Sequence, residues 1–390
     1  MRLVDVSALY SPNGGGIRTY THRKLALAEQ SGLDLTVVVP GLDDAEQRFG
    51  SARLVSIKSP RFPLDRNYCY FDSDAVIHAA LDRLQPDMIE CSSPWGSAAA
   101  VAAWPGPAPR ALIMHADPMS AWAYRYLDRL LSRQTIDRGF GWFWRHLKAC
   151  DERFDMVVAA SPSLAARLAQ HGLRRVETIP MGVDPGIFSP ALRDADLRAR
   201  LLAMCSLPPQ ATLLIGVGRH GPEKQWPMVI AGVTAASYGR AIGLVLLGDG
   251  HGRAAVQRAV GDNPHVTLLA PVSDRSEFAR LLASADALVH GAGVETFGLA
   301  CAEARASGLP LIVPDEGGAF DQLADGAGIA YRAGDAASLA QNLANWLPQL
   351  AADRRTAVAL AGQVPTLDQH FATLHARYRA LQQMRRPQAA

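Results

Sequence analysis

The segment "ALVHGAGVETFGLACAEARASGLPLIVP" (287–314) indicates the fold class most clearly. It begins with a short apolar run typical of a buried strand and continues through a glycine-rich loop into a helical segment that Gly308 closes. A second apolar run, "PLIVP", follows at once. This order predicts a strand–helix–strand unit with parallel strands. Glu295 then lies in the loop, and Glu303 lies near the second turn of the helix.

Units of this kind recur along the whole chain. Five apolar runs in the first half predict strands: "LTVVVP" (35–40), "PDMIEC" (86–91), "RALIMHA" (110–116), "DMVVAAS" (155–161) and "VETIP" (176–180). A second series consists of "TLLIGVG" (212–218), "IGLVLLG" (242–248), "VTLLA" (266–270), "ALVH" (287–290) and "PLIVP" (310–314). Two series within 390 residues predict two α/β domains, each a doubly wound parallel sheet covered by helices.

In the segment "IPMGVDPGIFSP" (179–190), prolines and glycines interrupt both the strand pattern and the helical pattern. We therefore expect the hinge between the domains there. Near the end of the chain, "TLDQHFATLHARYRAL" predicts one more helix with a buried face. The apolar side chains of that face are Leu367, Phe371, Leu374, Tyr378 and Leu381.

Composition excludes several classes of protein. The net charge is +2 and no long Lys/Arg stripe is present, so we expect no nucleic-acid partner. The apolar runs are far shorter than the roughly 20 residues of a membrane span. The run at the N-terminus is broken at Asp5, which argues against a signal peptide. Five scattered cysteines without C-x-x-C spacing indicate reduced thiols, a cytoplasmic location and no zinc site.

"GVGRHG" (216–221) follows a predicted strand and fits the dinucleotide-binding pattern G-x-G-x-x-G. That pattern requires an acidic residue about 20 positions later, and residues 235–240, "AASYGR", contain none. A second reading depends on charge. Arg219 and Lys224 follow the carboxyl end of the strand, where α/β domains bind ligands, and two cations there suit a diphosphate.

Two D-x-D sequences, "DSD" (72–74) and "DAD" (194–196), have the form of a metal site for sugar nucleotides. Each precedes a helical pattern, so we interpret Asp72 or Asp74 as the N-cap of a helix. We therefore expect no metal ligand at either sequence.

The backbone amides of Phe297, Gly298 and Leu299 lie at the predicted N-terminus of the helix that carries Glu303. A helix N-terminus binds anions through its free N–H groups. A phosphate there would have one carboxylate on either side. The two glutamates would then accept hydrogen bonds from the hydroxyl groups of two rings, one on each side of the phosphates.

These motifs resemble the retaining glycosyltransferases of family 4. The resemblance rests on "GVGRHGPEKQW" (216–226), "LLGDGHG" (246–252), "IPMGVDPGIF" (179–188) and the E-x7-E spacing of residues 295 and 303. It implies the GT-B fold, in which two Rossmann-like domains face a cleft. Residues 1–183, completed by a C-terminal helix at 365–390, would form the acceptor-side domain. Residues 184–364 would form the donor domain.

The resemblance also assigns roles to residues. It implies that Glu295 contacts the transferred sugar, that Glu303 holds the ribose, and that Arg219 and Lys224 neutralise the leaving diphosphate. The base pocket would lie near Val272.

In the first domain, the resemblance implies that the backbone of Gly15 and Gly16 approaches the phosphates and that His115 lies near the sugar. Two plainer readings stay open: a simple turn for the glycines and a buried structural histidine for His115. The chain also departs from the family near position 91, where "ECSSPW" lacks the basic or histidine residue often found there.

The function implied is transfer of a sugar from a UDP- or GDP-sugar to a hydroxyl of a glycan, a lipid-linked or a small-molecule acceptor, with retention. The setting would be bacterial cell-surface glycan or glycolipid synthesis. Catalysis would need no metal and no other cofactor. Two alternatives are a sugar nucleotide epimerase of similar fold and a non-catalytic sugar nucleotide binding protein.

"RGFGWFWRHLK" (138–148) mixes aromatic and basic residues. This composition is typical of a helix at a membrane surface, which would place the protein at the inner face of the plasma membrane. The alternative is a core helix whose aromatic side chains pack inside.

Overall fold

A computed structural model describes residues 1–12, 16–63, 65–115, 117, 119, 127, 131–323 and 327–385. The chain forms two compact units. Unit 1 consists of Met1–Met119, Leu127–Ile179 and Asp368–Ala390. Unit 2 consists of Ser120–Tyr126 and Pro180–Leu367.

Unit 1 contains an eight-stranded sheet with the order β3-β4-β2-β1-β5-β6-β7-β8. Its strands are β1 (Arg2–Val6), β2 (Asp34–Gly41), β3 (Ala45–Phe49), β4 (Ala52–Lys58), β5 (Met88–Cys91), β6 (Arg110–Met114), β7 (Met156–Ala159) and β8 (Val176–Thr178). All neighbours pair in parallel except β3 and β4, which are antiparallel. The five strands predicted for this half are confirmed, whereas β1, β3 and β4 were not predicted.

The helices described in unit 1 are α1 (Gly16–Ala28), α2 (Asp74–Leu84), α3 (Gly96–Ala103), α4 (Arg133–Gly139), α5 (Gly141–Asp151), α6 (Pro162–Gln170) and α15 (Leu367–Arg385). The first residue of α15, Leu367, belongs to unit 2. Helix α15 confirms the predicted apolar face, because Phe371, Leu374 and Tyr378 are buried. Leu381 at its end is partly exposed.

Unit 2 contains a six-stranded, all-parallel sheet with the order β11-β10-β9-β12-β13-β14. Its strands are β9 (Thr212–Val217), β10 (Ile242–Leu247), β11 (Val266–Leu269), β12 (Ala287–Val289), β13 (Leu311–Pro314) and β14 (Gly328–Tyr331). The second predicted series of strands is confirmed, and β14 adds one strand that was not predicted.

The helices described in unit 2 are α7 (Ala195–Met204), α8 (Trp226–Ala236), α9 (Arg253–Val260), α10 (Arg275–Ser284), α11 (Leu299–Ala306), α12 (Gly317–Asp321), α13 (Ala336–Trp346) and α14 (Leu350–Leu360). Alternate residues of β9 enter two separate apolar clusters: Leu213 and Ile215 pack in one, and Leu214 packs in the other. Because neighbouring strand residues point to opposite faces, both faces of this sheet are covered.

Both D-x-D sequences mark helix starts, as expected, but the capping residue of the first was predicted wrongly. Ser73 caps α2, and its hydroxyl accepts a hydrogen bond from the Ala75 amide at 3.1 Å. Asp74 is already the first helical residue. Asp194 caps α7 and accepts from the Leu197 amide at 2.9 Å. A serine hydroxyl and an aspartate carboxylate cap equally well, so the spacing alone could not separate them.

In each sheet the strand order reverses at one point. It lies between β1 and β5 in unit 1 and between β9 and β12 in unit 2. Open α/β sheets bind ligands outside the carboxyl ends of the strands at such a switch point. In unit 2, Lys224 follows β9 and Glu295 follows β12, so both belong to this edge.

Candidate active site

The E-x7-E segment has the layout that its sequence predicts. Strand β12 ends at Val289, residues 291–298 form a loop, and α11 begins at Leu299. Glu295 lies in the loop and Glu303 lies in the second turn of α11. The loop is tied to the next helix, because the Gly318 amide donates to the Glu295 carbonyl at 2.8 Å.

Glu295 is held between two nitrogen-bearing side chains. The Lys224 ammonium group donates to Glu295 Oε1. The same oxygen lies 3.2 Å from His290 Nε2. Burial alone would raise the pKa of Glu295, but the charge of Lys224 and the contact with His290 outweigh it and hold the pKa well below its usual range. Glu295 is therefore ionised at any physiological pH.

His290 is a residue of this site that the sequence analysis did not assign to it. It is buried, and burial lowers its pKa, although the contact with Glu295 opposes this shift. Its position directly after β12 was the available signal, because a side chain there lies at the ligand-binding edge of the sheet.

The two glycine-rich loops after β9 and β10 touch through their backbones. A Cβ atom on Gly248 would lie 2.0 Å from the Gly218 carbonyl oxygen, so only glycine fits there. The Gly252 amide donates to the His220 carbonyl at 2.7 Å. These contacts fix the loop that carries Arg219 and Lys224. The backbone of Gly218 and His220 in "GVGRHG" is thus packed against the neighbouring glycine-rich loop.

Arg219 and Lys224 differ in their surroundings. The Arg219 side chain is 84% exposed and its guanidinium lies 3.6 Å from Glu223 Oε1. The Lys224 side chain is only 17% exposed. Both line the same cavity. A partly buried cation and a solvated cation therefore face one volume, and both can contribute positive charge to it.

The N-terminus of α11 opens toward this volume. Gly298 caps the helix with φ of 78°, and a Cβ atom there would lie 3.1 Å from Ala319 Cα. The side chain of Phe297 is buried, and its carbonyl accepts from Gln322 at 3.0 Å. Leu299 lines the cavity and is 39% exposed. The first amides of a helix have no intrahelical acceptor, so they can bind an anion.

Glu303 is buried and paired with an arginine that the sequence analysis missed. Arg275 Nη2 donates to Glu303 Oε1 at 2.6 Å and to Asp184 Oδ2 at 2.9 Å. Burial raises the pKa of Glu303, and Arg275 opposes the rise. The signal for Arg275 was its place three residues after Val272, just beyond the segment predicted to hold the base.

These groups surround a cavity of about 350 Å³ in unit 2. Its lining contains five residues predicted for the site: Arg219, Lys224, Val272, Leu299 and Glu303. The other lining residues are Val217, Gly218, Leu247, Gly248, Asp249, Pro271, Arg275, Phe278 and Ala300. The volume is within the range of small-ligand sites. Glu295 adjoins the cavity through its pairing with Lys224.

The residues predicted in the first domain belong to unit 1. Gly16 begins α1, and Gly15 lies outside the described residues. His115 follows β6, and its ring lies edge-on to Tyr20 with the centroids 4.7 Å apart. Burial lowers the pKa of His115 to about 4, so this imidazole is neutral at pH 7.

Unit 1 also contains a buried ionic cluster that the sequence analysis missed. Asp5 and Glu90 are register partners on β1 and β5, at the switch point. Lys24 of α1 pairs with both, at 2.9 Å and 2.6 Å. Tyr378 of α15 donates to Glu90 at 2.7 Å. Burial raises the pKa of Asp5 to about 6 despite the charge of Lys24.

The aromatic segment 138–148 divides its side chains between core and surface. It is split between α4 and α5, with a break at Phe140. Phe143, Trp144 and Leu147 are buried, whereas Trp142 is 52% exposed. Within the part of the chain that the structure describes, no helix combines the length and the apolar character needed to cross a bilayer.

Comparisons with known proteins agree with this architecture. The model of the Glycosyltransferase Family 4 domain matches residues 14–186, and the model called Glycosyl transferases group 1 matches residues 206–357. A GDP-mannose-dependent alpha-mannosyltransferase of Corynebacterium glutamicum is 29% identical over 84% of this chain and 75% of its own length. A GDP-mannose-dependent alpha-(1-6)-phosphatidylinositol dimannoside mannosyltransferase of Mycobacterium tuberculosis is 29% identical over 80% of this chain and 79% of its own.

Among solved structures, sucrose-phosphate synthase from Thermosynechococcus elongatus superimposes with a TM-score of 0.76. The match covers 97% of this chain and 98% of that one at 20% identity. The expected fold is thereby confirmed. The chain belongs to the family 4 glycosyltransferases, which have the GT-B fold and use nucleotide sugars.

Proposed function

We propose that the chain transfers mannose from GDP-mannose to a hydroxyl group of a glycan or lipid-linked acceptor, with retention at the anomeric carbon. The observation that carries this proposal is the pairing of Lys224 with Glu295 beside the N-terminus of α11. In this proposal, the Lys224 cation would contact the diphosphate, and the ionised Glu295 beside it would accept hydrogen bonds from sugar hydroxyls. The choice of GDP-mannose is supported by the names of the two relatives, which are both called GDP-mannose-dependent mannosyltransferases.

The leaving diphosphate would lie in the cavity of unit 2. Lys224 and Arg219 would neutralise its oxygens, and the amides of Gly298 and Leu299 would donate hydrogen bonds to them. Lys224 and the helix amides are held in place before the reaction, so they stabilise the charge that develops as the glycosidic bond breaks. Because two cations and a helix terminus supply the positive potential, catalysis needs no metal ion and no other cofactor.

Glu295 would accept hydrogen bonds from hydroxyl groups of the transferred sugar. Its carboxylate is ionised but already engaged by Lys224 and His290, which makes it a weak nucleophile. A covalent sugar–enzyme intermediate at Glu295 is therefore disfavoured. Retention is better explained by attack of the acceptor on the face from which the diphosphate departs.

The nucleoside would occupy the opposite end of the cavity. Glu303 would accept hydrogen bonds from the ribose hydroxyls, and the backbone near Val272 would contact the base. In unit 1, the backbone of Gly15 and Gly16 would approach the phosphates. His115, neutral at pH 7, would exchange a hydrogen bond with the sugar rather than add a charge.

The biological setting we propose is bacterial cell-surface glycan or glycolipid synthesis in the cytoplasm. All five cysteines are free thiols, as is typical of a reducing compartment. The exposed Trp142, with the exposed basic residues Arg145 and Lys148 on the same helix, would allow peripheral contact with the inner face of the plasma membrane.

The proposal is tested with purified protein and a panel of GDP- and UDP-sugars. Thermal shift identifies the donor, because a ligand at 100 times its Kd adds about 2.7 kcal/mol to the stability of the folded state. Slow hydrolysis of that donor without acceptor separates an enzyme from a binding protein. NMR of the product then gives the anomeric configuration. An inverted product would contradict retention, and selection of a UDP-sugar would contradict the donor.

A further inference from the structure

Arg275 occupies a fixed place in the wall of the unit 2 cavity. It is the first residue of α10, and its side chain bridges two carboxylates. Nη2 donates to Glu303 Oε1 at 2.6 Å, and both Nη2 and Nε donate to Asp184 Oδ2, at 2.9 Å and 3.2 Å. A planar guanidinium with fixed donors suits such a bridge better than a lysine would.

Two aromatic rings restrict the guanidinium further. Its carbon lies 5.0 Å from the centroid of Phe188 and 5.4 Å from that of Phe278. Cations over aromatic faces at this distance are attracted to the ring. The side chain nevertheless keeps 43% exposure and lines the cavity. Arg275 is therefore anchored from several sides while it faces the ligand volume.

Glu303 depends on this arginine for its charge. Its side chain is only 6% exposed, and burial raises its pKa. The charge of Asp184 raises that pKa further, and the ion pair with Arg275 acts in the opposite direction. Without Arg275, Glu303 would be a buried carboxyl group beside one negative charge, and such a group takes up a proton.

The two carboxylate oxygens of Glu303 differ in their contacts. Oε1 accepts from Arg275, whereas for Oε2 the structure shows no hydrogen-bond partner among the described residues. Ribose hydroxyls donate hydrogen bonds most strongly to an ionised carboxylate. A carboxylate with one oxygen fixed by a cation presents the other in a defined direction.

We propose that Arg275 is a positioning residue of the nucleotide site, which keeps the Glu303 carboxylate ionised and oriented to bind the ribose diol. This inference rests on the proposed function, in which Glu303 accepts hydrogen bonds from the ribose hydroxyls. Arg275 itself acts through Glu303 and need not touch the nucleotide.

The test is calorimetric binding of GDP and of 2′,3′-dideoxy-GDP, which lacks both ribose hydroxyls. The proteins are the parent, Arg275→Gln, Arg275→Lys and Glu303→Gln, measured from about pH 5.5 to about pH 8.5. Arg280→Gln is the matched control, because Arg280 lies on the same helix and pairs with Asp194 at 2.7 Å outside the cavity lining. UDP and 2′,3′-dideoxy-UDP are measured in the same way, so that the identity of the base does not decide the outcome.

We expect Arg275→Gln to weaken GDP binding roughly 10- to 100-fold at pH 7, the usual effect of losing a hydrogen bond to a charged group. Binding of the dideoxy nucleotide should hardly change. The loss should diminish as pH rises, because Glu303 then ionises without its partner. Arg275→Lys should restore part of the affinity, and Arg280→Gln should match the parent.

Two outcomes separate this inference from the function on which it rests. If Glu303→Gln weakens GDP binding but Arg275→Gln and the parent have the same affinity and pH profile, the role of Arg275 is wrong and the ribose site stands. If Glu303→Gln leaves binding unchanged, or if GDP and its dideoxy analogue bind equally to the parent, the ribose site itself is wrong. An equal loss for both nucleotides in Arg275→Gln would indicate a general structural effect and overturn the inference.

Discussion

The Lys224 ammonium group lies against the Glu295 carboxylate, although the two residues are 71 positions apart in the chain. Strands β9 and β12 bring them together, because these strands are neighbours at the switch point of the unit 2 sheet. In this pair, the cation of Lys224 and the anion of Glu295 hold each other in place. A diphosphate that enters would share Lys224 with Glu295.

Replacing Lys224 tests the diphosphate site. We expect Lys224→Ala to lower kcat by about 100- to 1000-fold, because a contact that strengthens as the leaving group forms is lost. Arg219→Ala should also lower kcat, but less, since the Arg219 side chain is largely exposed. Lys58→Ala is the control, because Lys58 is an exposed lysine of unit 1. Turnover near the parent rate in both site variants would rule out the assignment.

The two glutamates should separate in a binding experiment. Glu303→Ala should weaken free GDP and intact GDP-mannose alike, because the ribose is common to both. Glu295→Ala should spare GDP and weaken the mannose-bearing donor. Calorimetry of the four combinations measures this directly. The opposite pattern would exchange the roles of the two residues.

Breaking the ionic cluster of unit 1 should lower the stability of that unit. Lys24→Met leaves Asp5 and Glu90 buried as neighbours without their cation, which we expect to cost about 3–5 kcal/mol of unfolding free energy. The triple variant Lys24→Met, Asp5→Asn, Glu90→Gln should recover much of that loss, since no buried charge remains. Denaturant unfolding of both variants checks the expectation. Equal stability of Lys24→Met and the parent would contradict it.

The same cluster predicts a pH dependence. Burial raises the pKa of Asp5 from its usual 3.8 to about 6 in the folded chain, so the protonated form favours folding. This contribution is complete below the usual pKa and disappears as pH rises through 6. Glu90 acts in the opposite sense, because the charge of Lys24 outweighs burial and lowers its pKa.

Asp5→Asn isolates the Asp5 contribution. Relative to the parent, this variant should gain stability between about pH 4 and about pH 6 and keep that gain at higher pH. The measurement is the difference in Tm between variant and parent as a function of pH. Lys24, Glu90, Ser92, Tyr20 and Tyr378 surround Asp5 and are unchanged in both proteins. A difference that stays constant with pH would mean that Asp5 does not titrate in this range.

The sequence predicted what depends on local patterns and missed what depends on contacts between distant segments. The E-x7-E loop and the strands of unit 2 follow from apolar runs and glycines that are adjacent in the chain. Strand β1 was missed because Asp5 interrupts its apolar run, and β3 because its residues are mostly exposed and polar. Inside the sheet, Asp5 is paired with Lys24 and accepts a hydrogen bond from Ser92.

Arg275 illustrates the same limit in the site. It is separated from Glu303 by 28 positions and from Asp184 by 91. No spacing rule joins three such residues, so their contact is visible only once β11, α10 and α11 are placed. The contact between His290 and Glu295 could not be predicted either, because it forms only when the loop after β12 folds back and brings Glu295 against the His290 ring.

Contact with a membrane is tested through Trp142. If the exposed face of α5 binds lipid, the protein should co-sediment with anionic vesicles at low salt and dissociate at high salt. Trp142→Ala should weaken this binding, because it removes the exposed aromatic ring of that helix. Tyr238→Ala is the matched control, since Tyr238 is 91% exposed on unit 2. No binding at any salt concentration would leave the segment with a structural role alone.

We expect transfer to need no divalent metal. A leaving diphosphate must be neutralised, and metal-dependent transferases use a cation held by paired carboxylates for this purpose. Here Lys224, Arg219 and the N-terminus of α11 supply positive potential around one cavity. Of the carboxylates at or beside that cavity, Glu303 is paired with Arg275, Glu295 with Lys224, and Asp249 lies 3.6 Å from Arg253.

The assay uses the donor identified by thermal shift, after exhaustive treatment with EDTA, and compares the parent with Asp72→Asn. We expect full activity in both proteins. Asp72 precedes a helix that Ser73 caps, so its replacement removes no contact that the reaction uses. Activity that is lost on chelation and restored by magnesium or manganese would show that a metal ion completes the positive charge. Lys224 and Arg219 would then be insufficient for the departure of the diphosphate.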